Sequence, residues 1–138
     1  MPARSSLLLA SGCVYGFASL VHFTHNALFA QEYPNLPGWI TPAIVVATWL
    51  AISSIGVLAW LSLRWDVRPL GLGLLAVYAA FGFDAFGHYR LAPLAAHSVA
   101  MNVTIWFEGL SAIVLFVVTL AHAVTPPRGP TVIGPEPA

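Results

Sequence analysis

The sequence predicts an all-α fold, an integral membrane four-helix bundle with N and C termini cytoplasmic. Three observations carry this reading. Hydrophobic residues make up 59% of the chain and charged residues only 7%, whereas a water-soluble surface usually needs about 25% charged residues. Four apolar stretches, at about 6–30, 42–63, 69–90 and 98–123, are each long enough to cross a hydrocarbon core, which takes roughly 20 helical residues. Arginine placement orients them. Arg4, Arg64, Arg68 and Arg128 fall on one side of a four-span topology and Arg90 on the other, and cytoplasmic loops are the ones that retain basic residues.

No Asp, Glu, Lys or Arg interrupts the first span between Arg4 and Glu32. Ala10-Ser11-Gly12-Cys13 resembles a lipoprotein cleavage box, but only Leu7 to Ala10 precedes it as an apolar run. A signal peptide needs about 7–15 such residues, so the segment reads as a retained span. Gly12 and Gly16 form a G-x-x-x-G face on which a second helix, within the chain or in a homo-oligomer, can approach closely. The second span is bounded by Pro42 and Arg64 and has Thr48, Ser53 and Ser54 as its central polar residues, as expected of a packing helix that closes the bundle. The third starts after Arg68-Pro69, and the fourth after Ser98, a good N-cap. The loop from Gln31 to Thr41 is stiffened by Pro34 and Pro37 and can fold over the outer mouth. Tyr33, Trp39 and Tyr89 suit the outer interface, Trp60 and Trp65 the inner one. Residues 1–124 therefore form one transmembrane domain, and 125–138, rich in proline, reads as disordered.

Several function classes drop out. The net charge is zero, lysine is absent and the five arginines are scattered, so no basic stripe exists to hold a nucleic acid. Cys13 is the only cysteine and belongs to no C-x-x-C pair, which removes thioredoxin-like chemistry. The expected partners are the lipid bilayer and a lipid-soluble small molecule. The expected location is a plasma membrane of bacterial type, with the site facing the extracytoplasmic side.

The informative feature is the depth of the polar residues. His22, His25 and Asn26 end the first span; Asp84 and His88 end the third; His97, Asn102 and Glu108 fall in the linker and opening half of the fourth. All lie in the outer half of the membrane, His22 and Glu108 roughly 12–15 Å below the outer boundary at helical rise. Residues three or four apart share a helix face, so His22 pairs with His25 and Asn26, Asp84 with His88, and Thr104 with Glu108. Ionisable groups at such depth cost about 2.5–3.5 kcal/mol each and normally mark a functional site. Arg90 is the nearby permanent cation, within reach of Asp84 or Glu32.

Four readings compete. The leading one is a transition metal site, because imidazole and carboxylate suit iron, copper, zinc or manganese. His22, His25, His88, His97 and Glu108 would be its ligands, with Asn26, Glu32, Asp84, Arg90 and Asn102 as supporting or alternative groups; redox activity would follow with iron or copper. H-E-x-x-H and paired E-x-x-H motifs are absent. The second is haem b between His25 and His88. The third is metal-free acid–base chemistry on a lipid-soluble substrate, or a proton pathway, with Glu108 as acid or base and His22 as relay. Phe81, Phe83, Phe86 and Trp106 would then line the pocket. The fourth is a polar network that pins the helices without a ligand. His122, at the other end of the fourth span, suits a helix C-terminus and stands outside the site.

Overall fold

Helix boundaries follow local chemistry. A computed structural model describes residues 3–125 as α1 (Ala3–Leu28), α2 (Pro42–Arg64), α3 (Arg68–Phe81), α4 (His88–Leu91) and α5 (Val99–Val124). Short 3-10 turns occupy Ala30–Glu32, Gly82–Gly87 and Leu94–Ala96. Thr41 caps α2 by accepting the Ile44 N–H at 3.3 Å, and Ser98 caps α5 by accepting that of Met101 at 3.2 Å. At the end of α2 Asp66 takes a left-handed conformation, φ 60°. The Val67 and Asp66 N–H groups then turn back to the Ser62 and Leu63 carbonyls, which reverses the chain into α3. Arg68 donates through Nη2 to the His122 and Thr125 carbonyls, satisfying the last turn of α5.

Four membrane-spanning segments result, Ser6–Leu28, Pro42–Arg64, Arg68–Leu91 and Val99–Val124. The chain is an all-α four-helix bundle. α1 packs between α2 and α5, and α3 closes the ring against α2 and α5. Phe17, Leu50, Val57, Leu110 and Val117 turn outward, as a lipid-solvated surface requires. The segment expected to be disordered lies, beyond Thr125, outside the described residues, as does Arg128. Gly12 and Gly16 do not form one packing face within the chain. A Cβ on Gly16 would meet the Tyr78 hydroxyl at 3.6 Å, whereas Gly12 faces open space.

The third span differs from the single α-helix that its apolar run suggests. It tightens into a 3-10 turn at Gly82–Gly87 before a last α-turn. Here the segment lies directly on its neighbours. A Cβ on Gly82 would stand 2.5 Å from the Ala112 Cβ and 2.6 Å from Cε2 of Tyr15. Across the same contact, a Cβ on Gly109 would strike the Phe86 ring. Missing side chains on both sides permit this approach.

The interior is layered. Toward the α2–α3 turn an apolar cluster of Tyr15, Ala59, Leu75, Tyr78, Ala79, Ala112 and Leu115 fills the bundle. Tyr15 and Tyr78 meet edge to face at 4.7 Å, and the Tyr15 hydroxyl donates to the Tyr78 carbonyl at 3.2 Å. Toward the opposite end, where the α1–α2 loop lies, a second cluster contains Tyr33, Ala85, Met101 and Ile105. Buried polar side chains Ser19, His22, Thr104, Glu108 and Ser111 lie on the facing helices α1 and α5.

Candidate functional site

Glu108 of α5 and His22 of α1 are each 2% exposed, and Glu108 Oε2 stands 3.7 Å from His22 Nε2. That gap is too long for a direct hydrogen bond. Among the described residues Oε2 has no hydrogen-bond partner, an uncommon state for a buried carboxyl oxygen, and the neighbouring buried Ser19 hydroxyl is likewise unpartnered. The imidazole is held firmly. Thr104 donates its hydroxyl to the Met101 carbonyl at 3.0 Å, so its oxygen accepts from His22 Nδ1–H at 3.3 Å. The proton is thereby placed on Nδ1, leaving Nε2 as an acceptor. Asn26, one turn along α1, donates from Nδ2 to His22 Nε2 at 3.0 Å and to His88 Nε2 at 3.4 Å. Both amide hydrogens are engaged, and its buried Oδ1 has no partner among the described residues.

Tyr33 organises the other side. Pro34 and Asn35 (φ 57°) form a turn closed by the Leu36 N–H on the Tyr33 carbonyl, and Asn35 Nδ2 donates to the Leu91 carbonyl at 2.8 Å. This ties the α1–α2 loop to the end of the third span and presses the Tyr33 ring inward to 4% exposure. The ring lies 4.7 Å from His88 and 5.8 Å from His25. Its hydroxyl is hydrogen-bonded to His25 Nδ1 at 2.9 Å. Burial pushes the phenol up to about 12, so it holds its proton for that bond. Tyr33→Phe is expected to cost about 1 kcal/mol at neutral pH. An unfolded phenol ionises near 10, so the unfolded state sheds its proton first as pH rises. Tyr33 therefore makes stability fall between pH 10 and 12, by about 3 kcal/mol. Thermal unfolding across that range checks this: the decline in Tyr33→Phe should be smaller by that amount.

Above the His22–Glu108 pair opens a cavity of about 780 Å³. One wall is polar, with His22, Asn26, Asp84, His88, Arg90 and Glu108. The facing wall is α2, through Ile44, Val45, Thr48, Ala51, Ile52 and Ile55, and the loop adds Tyr33, Leu36, Pro37 and Trp39. The span containing α2 is the least buried of the four, 11% against 28–44%. α2 thus packs in the ring while its outer half forms one wall of the cavity.

The metal reading does not survive this geometry. Among the described residues no group of three or more His, Cys, Asp or Glu side chains is placed to hold a metal ion. His22, His25, His88, His97 and Glu108 are therefore not a ligand set for iron, copper, zinc or manganese, and the expected metal-binding histidine cluster is absent. The physical cause is the company each nitrogen keeps. His22 and His88 are joined through the Asn26 amide, His25 is bound to Tyr33, and His97 Nδ1 donates to the Pro93 carbonyl at 3.1 Å. Haem b between His25 and His88 fails likewise, because the Tyr33 ring packs against both imidazoles.

Other expected residues are distributed differently. His97 is buried outside the cavity, 5.4 Å from the Tyr89 ring, and its Nε2 has no hydrogen-bond partner among the described residues. Asn102 accepts from the Tyr89 hydroxyl at 2.8 Å and donates to the Leu94 and His97 carbonyls, which secures the linker. Glu32 is exposed away from the cavity. Arg90 and Asp84 both line the cavity, yet among the described residues Arg90 makes no ion pair with Asp84 or Glu32. Phe81 lines the cavity, whereas Phe86 packs on Trp106 at 5.2 Å and Phe83 on Phe116 at 5.5 Å, on its outside. Sequence reasoning placed Tyr33 at the membrane interface and missed its role; the Tyr-Pro-Asn turn was the available signal.

Fold and site together define a small four-span membrane protein with a hydrogen-bonded polar network, including His22, His88, Thr104, Tyr89 and Asn102, beside an amphipathic cavity. Comparison with known protein families, characterised proteins and solved structures finds no match to this chain.

Proposed function

We propose that the cavity binds a lipid-soluble small molecule and that Glu108 and His22 perform acid–base chemistry on it. The observation that carries this reading is the unpartnered Glu108 Oε2 at the floor of an amphipathic cavity, 3.7 Å from an imidazole nitrogen held as an acceptor. Glu108 is the group that exchanges a proton with substrate. His22 Nε2 can then take that proton from the carboxyl as the Asn26 N–H releases the nitrogen's lone pair, giving an imidazolium that donates from Nε2 to Glu108 and from Nδ1 to Thr104. Asn26 and Thr104 are positioning residues for the ring.

A proton pathway across the whole membrane fits less well, because the apolar cluster around Tyr15, Tyr78 and Leu115 fills the other half of the bundle. The topology we propose places both termini in the cytoplasm and the cavity on the extracytoplasmic side. Arg64 and Arg68 at the α2–α3 turn, with Arg90 at the cavity end, support it.

Acid–base chemistry at a carbon leaves an isotopic signature. The full-length protein in nanodiscs, incubated with a membrane lipid extract in D2O, should introduce deuterium into, or convert, one lipid class resolved by mass spectrometry. Glu108→Gln should abolish the change. A lipid profile identical with and without the protein would overturn the reading.

A further inference from the structure

The unsatisfied groups at the cavity floor say what a ligand must bring. Asn26 has spent both amide hydrogens on imidazole nitrogens, so its buried Oδ1 offers only acceptance. Glu108 Oε2 also has no hydrogen-bond partner among the described residues, whereas the lone pair of His22 Nε2 is already taken by Asn26. The head of a fitting ligand therefore carries a hydrogen-bond donor. Two carboxyl groups, Asp84 and Glu108, line the space against one guanidinium, Arg90, which disfavours an anionic head. A fixed positive charge carries a desolvation penalty at this depth that a hydroxyl avoids.

The opposite wall sets the rest of the molecule. Ile44, Thr48, Ala51, Ile52 and Ile55 recur at helical spacing and face the cavity along α2. From Ile44 to Ile55 the wall runs about 16 Å at helical rise, and a cavity of about 780 Å³ has the size of a site for one small ligand. A groove this long, apolar on one side and open to the bundle surface, suits a single extended hydrocarbon chain.

We infer that the occupant is a single-chain lipid alcohol, its uncharged hydroxyl donating to Asn26 Oδ1 beside Glu108 and its chain along the Ile44–Ile55 face of α2. This rests on the acid–base reading for its use of Glu108, but the binding claim stands or falls separately.

Native mass spectrometry of the full-length protein with four probes of equal chain length tests it: dodecan-1-ol, its methyl ether, dodecylamine and dodecanoate. The alcohol should bind one per chain, about tenfold more tightly than the ether, which lacks the donor, and more tightly than amine or carboxylate. Ala51→Phe, which fills the groove from α2 and touches none of the polar residues, should abolish alcohol binding while leaving thermal stability unchanged or raised. Equal binding of alcohol and ether, stronger binding of the amine or dodecanoate, or full alcohol binding by Ala51→Phe would each overturn the inference. Equal alcohol and ether binding alongside Glu108-dependent deuterium exchange removes only the alcohol. The expected ranking without any such exchange removes only the acid–base reading.

Discussion

Gly82→Ala is expected to destabilise the bundle by about 3 kcal/mol, at the upper end of what overpacking normally costs. The added methyl would stand 2.5 Å from the Ala112 Cβ and 2.6 Å from the Tyr15 ring. Neither neighbour can yield. The Ala112 Cβ is fixed by the α5 backbone, and Tyr15 is fully buried, with its hydroxyl on the Tyr78 carbonyl. The third span would have to move off α5, and that movement would carry His88 away from Asn26. Gly12→Ala is the matched control, because nothing lies within 4 Å of its added methyl; it should be neutral or gain up to about 1 kcal/mol from helix propensity. Unfolding midpoints in mixed detergent separate the two, and equal midpoints would show that the third span does not sit this close to its neighbours.

Glu108→Gln and His22→Ala should each lower turnover of a lipid substrate by about 10²–10⁴-fold, the usual contribution of a positioned acid or base. The double variant should be no slower than the slower single one, because two groups that pass one proton act as a unit. Multiplying losses would mean that they work independently. Glu108→Gln keeps the volume of the side chain, so its unfolding midpoint should change far less than its rate. A rate that falls only in step with stability would return the pair to a structural role.

The metal expectation shows where residue chemistry alone misleads. Imidazoles and carboxylates on three helices at one depth are what a metal site requires, and the helical phase of His22, Asp84 and Glu108 was readable from spacing. Spacing cannot show which nitrogen already has a partner. Asn26 between two imidazoles, Tyr33 on His25 and the Pro93 carbonyl on His97 are contacts among segments far apart in the chain or bent by a turn, and they decide the chemistry.

By itself the sequence determined that this chain spans a membrane four times, because apolar length and scarcity of charge are local properties that lipid reads directly. It also determined that α1, the third span and α5 bring the polar groups to one level, since helical rise converts position into depth. Only the tertiary structure decided the rest. Gly82 and Gly109 draw the third span against α1 and α5, the Pro34–Asn35 turn drives Tyr33 inward, and a cavity opens between α2 and the polar groups of the other three spans. Each depends on distances between helices, which are set by the side chains that meet there and not by the periodicity of any one segment.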